Sequence, residues 1–179
     1  RACSAEFGQK AGHMATKVGA NCFLMIGCHI AHDCELGDNV TLVNGATLGG
    51  HVSIGEGAII GGLSAVHQYV RIGAYAFVGG MTGITADVIP FGMAIGNRAS
   101  LCGLNIVGLK RKGFPREQIH ELRQAYRMLF ASEGTLKERI EDVETMFDKN
   151  PLVKQIIDFI KTQSERSFCV PSNAATPSE

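Results

Sequence analysis

The stretch CELGDNVTLVNGATLGGHVSIGEGAII, residues 34–60, repeats an aliphatic residue at every sixth position. The same register runs without a break from Val18 to Ile84, which makes twelve hexads. A period of six is typical neither of an α-helix nor of a flat strand, whose side chains repeat about every 3.6 and 2 residues. It predicts a prism-shaped parallel β-solenoid in which each hexad forms one wall and three hexads form one coil, so that twelve hexads give about four coils.

Two sets of residues share this repeat. The aliphatic set is expected to fill the axis of the prism: Val18, Leu24, Ile30, Leu36, Leu42, Leu48, Ile54, Ile60, Val66, Ile72, Val78 and Ile84. A small or β-branched set follows four positions later and is expected to fit the inner corners: Cys22, Cys28, Cys34, Val40, Ala46, Val52, Ala58, Ser64, Val70, Ala76, Thr82 and Val88.

The composition changes near Gly113. Of the 22 glycines, 21 lie at or before this residue, whereas 20 of the 34 charged residues follow it. Helical spacing of apolar residues predicts three helices after it, with Pro115 and Pro151 in first turns and a capping box at Thr135 and Glu138. We therefore predict an irregular start at 1–15, a repeat domain with its exit loop at 16–113, a helical domain at 114–166 and a disordered tail at 167–179.

Charge and hydropathy exclude several classes of function. The formal net charge is zero, so the chain has no general attraction to nucleic acid or to anionic membranes. No apolar run approaches the roughly 18 residues that a membrane-spanning helix needs, and the first residues lack the apolar segment of a secretory signal. The six cysteines include no C-x-x-C pair, which argues against a zinc ribbon. We therefore expect a cytoplasmic protein without membrane insertion.

The segment CHIAHDCELG, residues 28–37, concentrates histidine, aspartate and cysteine. The hexad register directs Cys28 and Cys34 inward and the imidazoles outward, which argues against a joint Cys/His zinc site. A step of 18 residues climbs one coil, so residues from three successive coils, about 4.8 Å apart, fall at nearly one azimuth. They are His29, His32, Asp33, His51, His67 and Gln68, and Gly50 leaves space above His32.

Three interpretations of this histidine cluster stay open at this point. A neutral imidazole can accept a hydroxyl proton near neutral pH, and a neighbouring carboxylate such as Asp33 can stabilise the resulting imidazolium. Contact between His32 and Asp33 requires the geometry of a corner, since successive side chains diverge on a flat strand. Alternatively, three imidazoles could bind zinc with one open position, or the histidines could simply be exposed surface residues.

Further motifs make a family resemblance specific. HIAHDC, NGATLGGHV, GAIIGG with SAVHQ, VGG, GNRA and GLNIVGLKRKGF occur in this order before the predicted helices, and the resemblance covers roughly residues 16–165. Together they resemble the UDP-N-acetylglucosamine O-acyltransferases of lipid A biosynthesis. The resemblance implies a left-handed parallel β-helix and the first step of that pathway. In this step an (R)-3-hydroxyacyl chain passes from acyl carrier protein to the glucosamine 3-hydroxyl of UDP-GlcNAc, without a cofactor or a metal.

The resemblance also implies residue roles. His32 matches the general base, Asp33 the carboxylate that supports it, and the Gly50 N–H is expected to act as an oxyanion donor. Substrate-binding positions are matched by His29, His51, His67, Gln68 and Asn105. Gly80 matches the position that limits acyl-chain length, and Arg98 stands near the chain end.

Lys110, Arg111 and Lys112 form the densest basic run of the chain. It is either a solvated joint or a surface for anions, with Arg116, Arg123 and Arg127 extending it. The anion would be the diphosphate of the nucleotide or the acidic acyl carrier protein, so Arg111 and Lys112 are predicted substrate-binding residues.

The family assembles as homotrimers with each site between neighbouring prisms, and it carries further coils before the point where the resemblance begins. We therefore expect this chain to correspond to the C-terminal part of such an enzyme. Two alternatives remain at the sequence level. One is a zinc-dependent enzyme of the carbonic anhydrase type on the same fold, and the other is a non-catalytic trimeric or carrier-protein-binding remnant.

Overall fold

The computed structural model describes residues 3–5 and 15–172, in which the hexads form a left-handed, three-walled parallel β-helix of about four coils. The first wall contains β1 (Cys3–Ala5), β4 (Cys28–Ile30), β7 (Thr47–Leu48), β10 (Ala65–Val66) and β13 (Gly83–Ile84). The second contains β2 (Lys17–Val18), β5 (Glu35–Leu36), β8 (Ser53–Ile54) and β11 (Arg71–Ile72). The third contains β3 (Phe23–Leu24), β6 (Thr41–Leu42), β9 (Ile59–Ile60), β12 (Phe77–Val78), β14 (Gly92–Ile95) and β15 (Ser100–Leu104).

The strand register confirms the predicted coil. His29 pairs with Thr47 and Glu35 with Ser53, in each case 18 residues further along the chain. The axial residues from Ile30 to Ile84 are all buried, and so are the small corner residues from Cys28 to Val88. Val18 differs from the prediction and is 43% exposed, because it lies on β2, the edge strand of its wall. The hydrophobic effect along this continuous axis therefore stabilises the prism.

The corners follow the same period of six. We name them by position: the first corner (31–34, 49–52, 67–70) joins the first wall to the second. The second corner (37–40, 55–58, 73–76) joins the second wall to the third, and the third corner (43–46, 61–64, 79–82) leads back to the first wall. At each corner, one residue per coil has a positive φ, in the left-handed region. These residues are Asp33, His51 and Tyr69 at the first corner, Asn39, Gly57 and Tyr75 at the second, and Gly45, Leu63 and Met81 at the third.

The C-terminal half contains four helices within the described residues, one more than predicted. They are α1 (Ile106–Arg111), α2 (Arg116–Leu129), α3 (Leu136–Met146) and α4 (Pro151–Lys161). The additional helix α1 lies in the predicted exit loop, where the Asn105 side chain accepts a hydrogen bond from Gly108 N and so caps it. The capping box at Thr135 and Glu138 and the start of α4 at Pro151 are as predicted. None of these helices is long and apolar enough to cross a lipid bilayer.

Both ends of the described chain differ from the expectation. Residues 3–5, placed in an irregular start, form β1 and pair in parallel with β4. Phe168, in the expected disordered tail, bridges Asp87, and Cys169 is 3% exposed. Burial, with the nearby Asp87 carboxylate, raises the pKa of Cys169 to about 11. The segment up to 172 thus packs on the prism, while residues 1–2, 6–14 and 173–179 lie outside the described part.

Candidate functional site at the first corner

His32, Asp33 and His51 form a compact cluster at the first corner. His32 Nδ1 lies 2.8 Å from Asp33 Oδ2, and His51 Nε2 lies 3.9 Å from the same oxygen. The rings of His32 and His51 meet edge to face with centroids 5.1 Å apart. Two successive coils therefore bring a carboxylate between two imidazoles, as the 18-residue step predicts.

The backbone explains how adjacent residues come to touch. Asp33 has a φ of +58°, and this left-handed conformation turns the chain sharply enough for its carboxylate to reach the ring of His32. Aspartate is among the few non-glycine residues that adopt this conformation readily. The Asp33 side chain is only 9% exposed, whereas that of His32 is 47% exposed. The largely buried Asp33 carboxylate thus hydrogen-bonds to one nitrogen of the His32 ring, and the rest of that ring remains exposed to solvent.

Asp33 has capacity for a further hydrogen bond. Its Oδ1 is buried and has no hydrogen-bond partner within residues 3–5 and 15–172. An unsatisfied buried carboxylate oxygen is unusual, and such groups occur at sites that acquire a partner in the working state. The nearby imidazole of His51 has its Nε2 3.9 Å from the other oxygen of this carboxylate.

Gly50 lies directly against the His32 ring. A Cβ added to Gly50 would stand 2.7 Å from both Nε2 and Cε1 of His32, which is closer than real Cβ contacts. The Gly50 N–H donates no backbone hydrogen bond among the described residues, although its carbonyl accepts one from Tyr69 N at 3.0 Å. Gly50 therefore leaves room for the His32 imidazole. Among the described residues, its own N–H also remains available to a ligand.

Two residues at this corner were not singled out from the sequence. The Tyr69 ring stacks on His51 at 4.6 Å with an interplanar angle of 4°. The spacing of 18 residues from Asp33 through His51 to Tyr69 is the signal that could have identified it. Arg166, from the segment after α4, reaches His67 Nδ1 at 2.7 Å. No sequence signal predicts this contact, because the two residues are 99 positions apart.

The remaining predicted residues of the cluster lie on the same side of the prism. His67 and Gln68 are exposed on the next coil of the first corner, and His29 is half-buried on β4. Cys28 and Cys34 are buried inside the prism, which confirms that thiols and imidazoles point to opposite sides of the wall. The roles assigned to these side chains stay predictions.

The second corner carries a separate group. Arg111 and Lys112, at the end of α1, line a mainly apolar cavity of about 440 Å³ together with Asn105 and Tyr75. Asn105 Nδ2 donates to the Tyr75 carbonyl at 3.0 Å, so this side chain also holds α1 against the prism. Burial, with a hydrogen bond to Glu56, raises the pKa of Tyr75 to about 12. Within one chain this group therefore lies at a different corner from His32.

The third corner exposes apolar side chains beside Gly80. Leu63 and Met81 are 71% and 75% exposed on successive coils. A Cβ on Gly80 would meet only the Gly62 carbonyl, at 3.4 Å, so the surface here is open. Arg98 is exposed in the turn between β14 and β15, where its backbone N–H donates to Asn97 Oδ1.

The first-corner cluster could also bind a metal ion. One ligand atom from each of His32, Asp33 and His51 lies within 4.8 Å of the others. Two imidazole nitrogens and a carboxylate oxygen are ligands that zinc accepts, with one position open for water. His32 Nδ1 already contacts Asp33 Oδ2 at 2.8 Å, so these two atoms could both bind a metal only if that hydrogen bond were given up.

Comparisons with known proteins match both the repeat and the helical part of the chain. The model of "UDP N-acetylglucosamine O-acyltransferase; Domain 2" matches residues 87–169, and that of the bacterial transferase hexapeptide matches residues 15–50. The acyl-[acyl-carrier-protein]–UDP-N-acetylglucosamine O-acyltransferase of Bartonella henselae is 50% identical over 87% of this chain and 57% of its own length. The protein of the same name from Caulobacter vibrioides is 52% identical over 92% and 62%.

A solved structure extends the match. The UDP-N-acetylglucosamine acyltransferase from Campylobacter jejuni is 31% identical with a TM-score of 0.81, over 93% of this chain and 74% of that one. The chain spans about three fifths of the length of the curated relatives it matches. The shared prism, the helical segment and this degree of identity place the chain in the UDP-N-acetylglucosamine O-acyltransferase family.

Proposed function

We propose that this chain catalyses transfer of an (R)-3-hydroxyacyl group from acyl carrier protein to the glucosamine 3-hydroxyl of UDP-GlcNAc, the first step of lipid A biosynthesis. The observation that carries the proposal is the 2.8 Å contact between His32 Nδ1 and Asp33 Oδ2, beside an exposed imidazole edge. The names of the curated relatives supply the substrates. We place this reaction in the cytoplasm as part of the proposal; both substrates would be water-soluble molecules.

His32 would act as the general base. Asp33 accepts the hydrogen bond from Nδ1–H, which leaves the lone pair on Nε2 for the sugar hydroxyl. As Nε2 removes the proton, the sugar oxygen attacks the thioester carbonyl, and the Gly50 N–H stabilises the tetrahedral oxyanion. Collapse breaks the carbon–sulfur bond, and the imidazolium returns the proton to the departing thiolate. No acyl-enzyme forms, so no nucleophilic serine or cysteine is required.

The remaining cluster residues would bind the nucleotide sugar. His29 offers polar atoms on the coil of His32, and His51, His67 and Gln68 offer them on the next two coils of the same corner. Asn105, Arg111 and Lys112 would bind the uridine or diphosphate portion, because cationic side chains favour phosphate oxygens. Since the two groups lie at different corners of one prism, a single site can use both only if neighbouring subunits contribute them. This separation supports a homotrimer with sites between its prisms.

The acyl chain would extend along an apolar surface. Leu63 and Met81 expose such a surface at the third corner, next to Gly80. Burying an exposed apolar surface against a hydrocarbon chain is favourable by about 25 cal/mol per Å². Because Gly80 contributes no side chain, and Arg98 stands near the expected chain end, we propose that the groove accepts a longer acyl chain than a bulky residue would permit.

Acyl carrier protein would approach a basic surface around α1 and α2. Its exposed cations form no ion pair within the described residues: Lys110, Arg111, Lys112, Arg116, Arg123 and Arg127. Unpaired cations on one face attract an acidic partner and accelerate its association, an effect that weakens with added salt.

The test is direct. Purified chain is mixed with UDP-GlcNAc and a series of 3-hydroxyacyl carrier proteins, and acylated UDP-GlcNAc is sought by mass spectrometry. We expect a product that is lost in His32→Ala, because the variant has no base at this position. Carrier-protein binding without product, for any donor, would contradict the transferase and favour a binding remnant.

A second candidate rests on the ligand geometry of His32, Asp33 and His51. It is a zinc-dependent hydratase of the carbonic anhydrase type. Stoichiometric zinc in the purified protein, and carbon dioxide hydration that a chelator abolishes, would support it. Acyl transfer that persists in the presence of the chelator would exclude a zinc requirement for the main proposal.

A further inference from the structure

The segment after α4, residues 162–172, is hydrogen-bonded to the prism next to the first corner. Asp87 is fully buried, and its Oδ2 accepts hydrogen bonds from Ser164 Oγ at 2.6 Å and Arg71 Nε at 2.7 Å. Its backbone N–H donates to the Ser167 carbonyl, and its carbonyl accepts from Cys169 N. The chain is therefore held on both sides of Arg166, which fixes where that residue can reach.

Arg166 forms a two-pronged contact with the outer face of the first corner. Its Nη2 lies 2.7 Å from His67 Nδ1, and its Nε donates to the Gln68 carbonyl at 3.1 Å. A guanidinium is always charged and can only donate hydrogen bonds. His67 Nδ1 also lies 3.2 Å from the Gln68 carbonyl, a contact that would need a proton on Nδ1. The contact with the guanidinium is shorter, and it can form only if Nδ1 accepts, so we assign the ring proton to Nε2.

His32 and His67 are thus held in opposite tautomers by partners of opposite charge. Asp33 requires a proton on Nδ1 of His32 and leaves Nε2 as an acceptor. Arg166 requires a bare Nδ1 on His67 and leaves Nε2–H as a donor. In proteins the hydrogen bond to one ring nitrogen sets the function of the other.

We propose that Arg166 is a positioning residue that keeps His67 as an Nε2–H donor for an oxygen of the nucleotide-sugar substrate. The proposal rests on the proposed function, which places that substrate at the first corner. Arg166 itself acts through His67 and Gln68 and takes no part in proton transfer. The oxygen would belong to a sugar hydroxyl, the acetamido carbonyl or a phosphate, all of which accept hydrogen bonds.

The first test reads the tautomer and needs no activity. Long-range proton–nitrogen NMR on nitrogen-labelled chain, with the His67 signals assigned through His67→Gln, reports which ring nitrogen carries the proton. We expect an Nε2–H tautomer in the wild type and a mixture of tautomers in Arg166→Ala. Arg166→Lys, which keeps one cationic donor, should restore most of the wild-type pattern. Protonated Nδ1 in the wild type, or an unchanged spectrum in Arg166→Ala, would overturn the proposal.

The second test is kinetic and uses Glu165→Ala as the matched control, because Glu165 is the exposed neighbour on the same segment. We expect Arg166→Ala to raise the KM for UDP-GlcNAc roughly tenfold, the usual order for one charge-assisted contact, with a smaller change in kcat. The KM for the acyl donor and the melting temperature should stay close to those of Glu165→Ala. An equal rise in both KM values, or a collapse of the melting temperature, would indicate a purely structural role and contradict the proposal.

The two tests separate the two proposals. Absence of acyl transfer in the wild type would contradict the proposed function, while the NMR result would still decide whether Arg166 sets the tautomer. Normal transfer with an unchanged UDP-GlcNAc KM in Arg166→Ala would contradict the positioning role alone.

Discussion

At the scale of single residues, the left-handed position of each hexad carries much of the candidate chemistry. Asp33, His51 and Tyr69 occupy this position on successive coils of the first corner. Holding a non-glycine residue in the left-handed region costs free energy. Such a residue persists only where the surrounding structure imposes that conformation. Here the conformation turns Asp33 toward His32 and stacks Tyr69 on His51. The backbone conformation itself therefore assembles the site.

The role of the Asp33 carboxylate can be isolated by Asp33→Asn. Asparagine tolerates a φ of +58° as well as aspartate does, so the corner should be retained. The neutral amide no longer stabilises the imidazolium of His32, and we expect kcat to fall by about 10² or more. Steady-state kinetics with a parallel thermal melt measures this. Full activity in the variant would show that His32 works without the carboxylate.

The close contact at Gly50 predicts the effect of Gly50→Ala. The new Cβ would stand 2.7 Å from His32 Nε2 and would displace the ring. Since Gly50 does not require a positive φ, the backbone accepts alanine and the melting temperature should change little. We expect acyl transfer to fall by about 10²-fold, in line with a misplaced catalytic group. Wild-type turnover would mean that the His32 ring position is not critical.

At the scale of elements, one buried side chain joins two helices. Asn150 Oδ1 caps α4 by accepting from Leu152 N and Val153 N, and its Nδ2 donates to Gln118 O and Glu121 Oε2 on α2. Asn150→Ala would remove the cap and leave polar atoms unpaired, at a cost of about 2–4 kcal/mol in the free energy of unfolding. Urea unfolding measures the loss.

Asn150→Asp serves as the matched control for that experiment. The variant keeps an acceptor for the α4 cap but loses the donor to α2 and places a second carboxylate beside Glu121. We expect it to be destabilised as well, because the link to α2 is lost while the cap remains. Wild-type stability in both variants would refute the account of Asn150 as the joint between α2 and α4.

The N-terminus of α3 gives a pH-dependent prediction. The backbone N–H and the hydroxyl of Thr135 both donate to Glu138 Oε2, which lowers the pKa of Glu138 below its ordinary value of 4.5. A lowered folded-state pKa contributes stability above 4.5 that is lost as the pH falls through the folded-state value. The melting-temperature advantage of wild type over Glu138→Gln should therefore narrow in acid. A constant difference from neutral pH down to acid would contradict this.

At the scale of the whole molecule, the proposed trimer would bring together two groups of candidate residues that lie apart in one chain. His32 lies at the first corner and Arg111 at the second, so neither group alone completes the proposed site. A trimer in which each prism presents its first corner to the second corner of a neighbour would bring them together. The site would then belong to the assembly, and each chain would supply half of two sites.

Mixed trimers test this arrangement. His32→Ala and Arg111→Ala are each expected to be nearly inactive alone. When the chains are unfolded together and reassembled at random, about a quarter of the sites should combine an intact His32 with an intact Arg111, so activity should return. Analytical ultracentrifugation confirms the assembly. No recovery in confirmed mixed trimers would show that both residues act within one chain.

The sequence by itself determined the prism. An unbroken period of six indicates the walls, the axis and the coil of 18 residues, because it directs the recurring aliphatic residues toward one axis. The sequence also predicted that His32, Asp33 and His51 lie together, because adding 18 to a residue number gives the position directly above it on the next coil. The capping box at Thr135 and the helix start at Pro151 were likewise predictable, because their signals are local.

Only the tertiary structure decided the contacts between segments far apart in the chain. Arg166 contacts His67, which is 99 residues away in the chain, and Asp87 accepts a hydrogen bond from Ser164 in the segment beyond α4. Neither contact has a local sequence signature. The helix α1 forms where Asn105 can cap it and hold the Tyr75 carbonyl. The separation of Arg111 from His32 follows from which corner α1 packs against. These features depend on burial and pairing in three dimensions, which no repeat in the sequence encodes.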